Sequence, residues 1–202
     1  MDNDNDTYKT IADVSEGLYK DKGSRFISFA FPVKTEEEIK DILGDIKKKY
    51  YDARHHCYAY VLGVEKSKFR INDDGEPSGT AGKPIYGQIQ SAGLTNILIV
   101  VIRYFGGIKL GVRGLINAYK GAALEALSNA SIITMVEETG YSIHFDYEQM
   151  NDVMKVMKDY SLDTFDHQFD MRCHLGFSVR NQLKDKVLFE LNNVNGLTIN
   201  DI

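Results

Sequence analysis

The stretch Asn96–Gly107 reads NILIVVIRYFGG. Within it, Ile97–Ile102 is the longest apolar run of the chain. It is rich in β-branched residues and predicts a fully buried strand over Asn96–Tyr104. It is far short of the ~20 apolar residues that a bilayer span needs. Phe105-Gly106-Gly107 breaks the strand. Beyond the break, Leu115, Ala118, Ala122, Leu124 and Leu127 predict the buried side of a helix over Leu110–Asn129. Ile132–Val136 reads as a strand that closes this half of the chain.

Working back from that strand, Asn72–Gly82 holds three acids, a proline and three glycines, and predicts a loop. Pro84 suits the first turn of a helix that runs to about Ser91. Cys57–Val64 alternates as a strand, and Phe69–Ile71 forms a second, short one. Thr35–Tyr50 predicts a helix with a capping box, Thr35 at its start and Glu38 three residues on. Ile39, Ile42, Leu43, Ile46 and Tyr50 share one face of it, and Lys47, Lys48 and Lys49 suit its negative end. Tyr8–Val14 and Arg25–Val33 read as strands, with a turn at Asp21-Lys22-Gly23 between them. Residues 1–6 read as a solvated tail.

Around Glu137-Glu138-Thr139-Gly140 the pattern starts again. Tyr141–Tyr147, Thr164–Phe169, Met171–Val179 and Leu197–Ile202 alternate as strands. Gln149–Tyr160 and Asn181–Asn193 read as helices, the first with Met150, Val153, Met154 and Met157 as its core side. The order βαββαβ is that of a ferredoxin-like split βαβ domain. The expected fold class is therefore α+β, with one domain over 1–136 and a second over 137–202.

Composition narrows the function classes. The chain has 202 residues, 43% hydrophobic, 11% aromatic and 26% charged, which is globular and not disordered. Cys57 and Cys173 make no disulfide framework. The N-terminus MDNDNDTYKT lacks the basic and apolar regions of a secretory signal. These readings predict a soluble, reduced, cytoplasmic protein without a membrane span. The net charge of −5 argues against a general nucleic-acid coat protein. Its distribution is uneven, however. The 48 residues from Pro77 to Leu124 contain no Asp or Glu, but hold Lys83, Arg103, Lys109, Arg113 and Lys120 and nine of the 17 glycines. That is a localised basic, glycine-dense segment.

Four groups of residues can carry chemistry. Asp73, Asp74 and Glu76 place three carboxylates in four positions, enough to hold a hard cation such as Mg²⁺ or to act as a base. The competing reading is a loop whose acids cap turns and the next helix. Ser78, Gly79, Thr80 and Lys83 lead into a helix start, where free N–H groups attract anions. The Walker A spacing is absent, since Pro77 and Pro84 stand at its glycine and hydroxyl positions. Arg103, Lys109 and Arg113 can grip phosphates, with Tyr104 and Phe105 as stacking faces. Arg103 can equally pair internally with an acid of the Asp73–Glu76 loop. His55-His56-Cys57 cannot all serve one metal, because neighbours on a strand point to opposite faces. His56 is a candidate to assist a site around Asp74.

Several strings together resemble the IMPACT family, including its bacterial YigZ-type members. They are Lys22–Ile27 (KGSRFI), Ala53–Tyr60 (ARHHCYAY), Asp73–Ile85 (DDGEPSGTAGKPI) and Asn96–Tyr119 (NILIVVIRYFGGIKLGVRGLINAY). The resemblance runs in order over nearly the whole chain. It implies an N-terminal α/β domain of the ribosomal-protein and elongation-factor-G domain-four type, and a ferredoxin-like C-terminal domain. Eukaryotic relatives are translational regulators that act through an extra N-terminal domain. These 202 residues leave no room for it, so that partner is not expected here. One departure is Val112-Arg113-Gly114, where relatives carry a glycine-rich string after Leu-Gly.

Three readings of function follow. The first is a non-catalytic, translation-linked regulatory or binding protein that contacts RNA, the ribosome or a translation factor. Lys83, Arg103, Lys109 and Arg113 would meet phosphates, and Asp73, Asp74 and Glu76 would orient those cations. It needs no cofactor. The second is an enzyme acting on a phosphorylated small molecule through a carboxylate-held Mg²⁺. The third is a protein adaptor whose acids and Arg103 are buried against one another.

Overall fold

The computed structural model describes residues 6–202, which form two compact units: Tyr8–Met135, and residues 6–7 with Val136–Ile202. In the first unit the run Ile97–Tyr104 becomes the middle strand of a five-stranded antiparallel sheet. In chain order the elements are β1 (Thr7–Ile11), β2 (Ser15–Asp21), β3 (Ser24–Pro32), α1 (Glu36–Lys49), β4 (His55–Leu62), β5 (Lys68–Asn72), α2 (Gly82–Ser91), β6 (Ile97–Tyr104), α3 (Gly111–Ser128) and β7 (Ile132–Val136). The sheet order is β2-β3-β6-β4-β5, and β1 pairs with β7 in a separate two-stranded sheet.

The period of two sorts side chains onto the two faces of the five-stranded sheet. Phe26, Cys57, Ala59, Val61, Ile97, Ile99 and Val101 pack beneath α2 and α3. Phe29, Tyr58, Tyr60, Leu98, Val100 and Ile102 pack against α1. Both faces are covered, and for that reason β6 carries no polar position until Arg103. Two strand hydroxyls seat α3: Ser28 Oγ donates to the Ala122 carbonyl at 2.6 Å, and Ser15 Oγ to the Ala126 carbonyl at 2.8 Å.

Helix α1 starts at Thr35, whose Oγ1 accepts from Glu38 N. The return arm of the expected capping box goes to the Lys34 N–H instead, one residue earlier. Strand β2 is absent from the reading of the sequence. Its residues SEGLYKD carry little apolar alternation, and Gly17 sits in the middle. The structure accounts for that glycine: a Cβ there would meet Ala126 N and Glu125 Cβ, so its absence lets α3 lie close on the strand.

The second unit has the order β8 (Glu138–Asp146), a 3₁₀ turn (Tyr147–Gln149), α4 (Met150–Asp159), β9 (Asp163–Phe169), β10 (Arg172–Arg180), α5 (Lys184–Asn192) and β11 (Thr198–Asp201). The strands are ordered β11-β8-β10-β9, all antiparallel, which is the ferredoxin-like arrangement. Tyr141, Ile143, Phe145, Cys173, Leu175, Phe177 and Val179 bury one sheet face against Val153, Val156, Met157, Val187 and Leu191. Met154 is 39% exposed, and Val156 takes the core place expected for it.

Residues 1–5 of the expected solvated tail lie outside the described residues. Asp6, the sixth, is buried. Arg180 grips its carboxylate with Nη2 at 2.8 Å and Nε at 3.3 Å, and the Gln182 N–H adds a third bond at 3.2 Å. The Arg180 bond, foremost, holds the Asp6 carboxyl below its ordinary 3.8. No helix among the described residues is long and apolar enough to cross a membrane.

Two outcomes are expected of this fold. A Cβ at Gly106 would overlap the Gly23 and Ser24 backbone, whereas one at Gly44 in α1 meets nothing. In urea unfolding, Gly106→Ala costs about 2–4 kcal/mol, and Gly44→Ala gains about 0.5–1 kcal/mol. Asp6→Asn weakens the second unit by about 1–3 kcal/mol near neutral pH. Because the folded pKa lies below the unfolded one, the carboxylate's contribution is complete above 3.8 and fades as pH falls through the folded value. Amide exchange of β8 and β10 across that range checks the sign.

Candidate functional site

The Asn72–Ala81 loop joins β5 to α2, and its three acids take three separate tasks. Asp73 is the cap of α2. Its Oδ1 accepts from the N–H groups of Ala81 at 3.0 Å and Gly82 at 2.8 Å, and its Oδ2 from Gly79 at 2.8 Å. The helix start expected to attract an anion thus already holds one from within the chain. Thr80 is buried, and its hydroxyl donates to the Pro77 carbonyl at 2.7 Å. Ser78 and Lys83 are exposed.

Asp74 sits at a φ of +40°, followed by Gly75 at +86°. Its N–H donates to Asn72 Oδ1 at 2.7 Å, in an Asx turn. Its carboxylate accepts the His56 backbone N–H at 2.6 Å. The left-handed turn thereby locks the loop onto the first residues of β4.

Glu76 points inward. Its Oε1 accepts from Arg103 Nη1 at 2.5 Å and from the Tyr119 hydroxyl at 2.9 Å. The Cys57 thiol donates in turn to the Tyr119 oxygen at 3.3 Å and to the Asp73 carbonyl at 3.0 Å. A buried chain therefore runs from β4 through α3 and the loop to the end of β6. Burial pushes both the Cys57 thiol and the Tyr119 phenol far up, so both stay protonated at neutral pH. A thiol held in this way is no nucleophile.

Arg103 is only 7% exposed, the internally paired arrangement that the sequence left open. Its guanidinium lies between the rings of Phe26, at 5.5 Å, and Phe105, at 5.6 Å. Among the described residues Nη1 alone makes a hydrogen bond, and Nε is buried without a partner.

Register decides which histidine joins this group. His55 is directly opposite Arg103 in the β4–β6 ladder, on the α2–α3 face. Its Nδ1 donates to the Asp74 carbonyl at 2.8 Å, since a carbonyl only accepts, and its Nε2 lies 3.9 Å from Glu76. His56, the histidine singled out from sequence, points to the other face, where Nε2 donates to the Tyr50 carbonyl at 3.0 Å. The signal available was the period of two: Arg103 and its cross-strand partner share a face.

Of these groups, His55, Glu76 and Arg103 line a cavity of about 460 Å³. Arg54, Lys109, Leu110, Val112, Leu115 and Phe105 complete it. Arg113 and Lys120 are exposed on α3, and Lys83 on α2. His56 Nδ1 lies 3.7 Å from Asp74 Oδ2, the pairing expected from sequence, but Asp73 and Glu76 point elsewhere, and among the described residues no three His, Cys, Asp or Glu side chains form a metal-ligating group.

The Impact N-terminal domain family model matches residues 22–127, more than half of the chain. The chain belongs to the IMPACT family. An IMPACT family member of Haemophilus influenzae is 36% identical over 156 residues, 76% of each chain. The family member YvyE of Bacillus subtilis is 41% identical over 63% of this chain and 58% of that protein. YigZ of Escherichia coli is 37% identical over 65% of this chain and 66% of that protein. A crystal structure described only as that of a hypothetical protein superposes with a TM-score of 0.72, at 27% identity, over 98% of both chains. The strings that carry the family, Asp73–Ile85 and Arg103–Gly107, are the ones that build the buried ion pair and the cavity wall.

Removing one partner of that pair leaves the other charge buried alone. Glu76→Ala is expected to cost about 3–5 kcal/mol. The double change Glu76→Leu with Arg103→Met costs clearly less than the sum of its single changes. Urea denaturation of the four variants in a double-mutant cycle checks this.

Proposed function

We propose that this IMPACT family protein is a non-catalytic, translation-linked regulatory protein that contacts RNA through its α2–α3 face. The observation that carries the reading is the acid-free segment from Pro77 to Leu124. Its four exposed cations Lys83, Lys109, Arg113 and Lys120 take part in no ion pair among the described residues. Arg113 and Lys120 lie two turns apart on α3, so they share one stripe. The chain as a whole carries −5, and the residues outside Pro77–Leu124 repel polyanions, so contact is confined to this face. The translation link comes with the family resemblance, and RNA is the partner that matches an array of unpaired cations. Arg103 and Thr80 are not part of this exposed stripe, because both are buried and hydrogen-bonded inside.

Fluorescence anisotropy with a transfer-RNA or ribosomal-RNA fragment in a salt series tests the reading. If the four cations meet phosphates, log K falls with log salt at a slope of about −3 to −4. Lys83→Glu with Arg113→Glu weakens binding at least about tenfold and flattens the slope by roughly 2. Absence of binding at low salt, or binding indifferent to the double change, overturns it.

A further inference from the structure

The two long helices of the Tyr8–Met135 unit that flank the loop begin in opposite ways. The N-terminus of α2 is filled by the Asp73 carboxylate. The 18-residue α3 has no side-chain cap at Leu110 and no acid in its first turn. Its opening residues Leu110, Gly111 and Val112 line the 460 Å³ cavity instead. The unsatisfied N–H groups and the positive end of the helix dipole therefore face an open space.

That space is lined by three cations. Arg103 stands in its wall, 93% buried, with one of its five donors bound to Glu76 and Nε left orphaned. A buried donor without a partner needs an explanation. Arg54 and Lys109 also line the cavity, and neither has an acidic partner among the described residues. Glu76 offsets only Arg103, so two uncompensated cations and about half a charge from the helix remain. A phosphate monoester carries about −1.5 to −2 near neutral pH, which matches. Part of the lining is apolar: Phe105, 50% exposed, Val112 and Leu115 contribute to it. The volume falls in the usual range of about 300–1,000 Å³ for small-molecule sites.

We propose that this cavity binds a phosphate monoester bearing a planar, partly apolar body. The phosphate sits at the start of α3 among Arg54, Arg103 and Lys109, and the body lies on Phe105. This site shares Lys109 with the stripe of α2 and α3 assigned to RNA, but Arg54, Arg103 and the start of α3 are its own, and RNA binding by that stripe is not required for it. Two sources share this chemistry: a free mononucleotide-like metabolite, and the terminal phosphate of a nucleic-acid strand.

The probe is adenosine 5′-monophosphate, titrated into the ¹⁵N-labelled full chain, with adenosine and inorganic phosphate as comparison ligands. The expected result is amide shifts at Phe105, Gly111 and Val112, with adenosine 5′-monophosphate binding at least about tenfold more tightly than either comparison ligand. Val112 is 60% exposed, so Val112→Glu keeps the fold while placing a carboxylate at the helix start. It is expected to weaken binding at least about tenfold, while Lys47→Glu on α1 leaves it unchanged. Shifts confined to other surfaces, no shifts at millimolar ligand, or equal binding by Val112→Glu overturn the proposal. A further titration compares short RNAs with a 5′-phosphate and a 5′-hydroxyl. Preference for the phosphorylated strand assigns the terminal source, and no preference alongside adenosine 5′-monophosphate binding assigns the free metabolite.

Discussion

Arg103 enters the protein at the end of a strand whose preceding six residues are all buried and apolar, so its guanidinium is drawn inside by the strand that carries it. A charge in that position needs a partner, because the cost of stripping its water is several kcal/mol unless it is compensated. Glu76 supplies it, and much of the loop follows from that. Glu76 must reach inward, so Asp74 and Gly75 turn the chain through left-handed backbone. Asp73, just before the turn, is left facing the start of α2 and caps it. Tyr119 and Cys57 then extend the hydrogen-bonded chain into α3 and β4. Such a pair is weak grounds for stability relative to an apolar core, but it sets where four elements meet.

The same constraint shapes what the site can do. The three acids that look from sequence like a cation trap are each engaged in the protein's own polar groups. Asp73 binds backbone donors, Asp74 binds the His56 N–H, and Glu76 binds Arg103 and Tyr119. The local field they would have made is spent internally. What remains open is positive: Arg54, Lys109, the unshared donors of Arg103 and the uncapped start of α3. In this chain the two strings that carry the family resemblance thus have different physical duties. Asp73–Ile85 forms internal bonds, and Arg103–Gly107 contributes Arg103 and Phe105 to the cavity wall. Gly106 belongs to the second duty, because only a residue without a Cβ passes the Gly23–Ser24 backbone at that point.

Much of this was legible in the chain itself, for local reasons. The Ile97–Ile102 run demanded burial on both faces, Thr35 and Glu38 marked a helix start, and the βαββαβ order after residue 137 specified a ferredoxin-like sheet. Each rests on spacing within one element, which a periodic pattern encodes directly. Strand β2 escaped because SEGLYKD owes its place to α3 packing over Gly17, a contact more than 100 residues away in the chain. Asp6 escaped because the Arg180 that grips it stands in β10, 174 residues away in the chain.

The sequence by itself determined the elements other than β2, the fold class and the acid-free basic segment, since periodicity and composition act along the chain. It also restricted Arg103 to two fates, free or paired within. Tertiary structure decided between them, and placed His55 beside Arg103 and Glu76 and His56 beside Asp74, because cross-strand register fixes which side chains share a face. It decided as well that the start of α2 is filled and the start of α3 is open. A carboxylate satisfies whichever N–H groups the fold brings within hydrogen-bond reach, and no local pattern states which helix that will be.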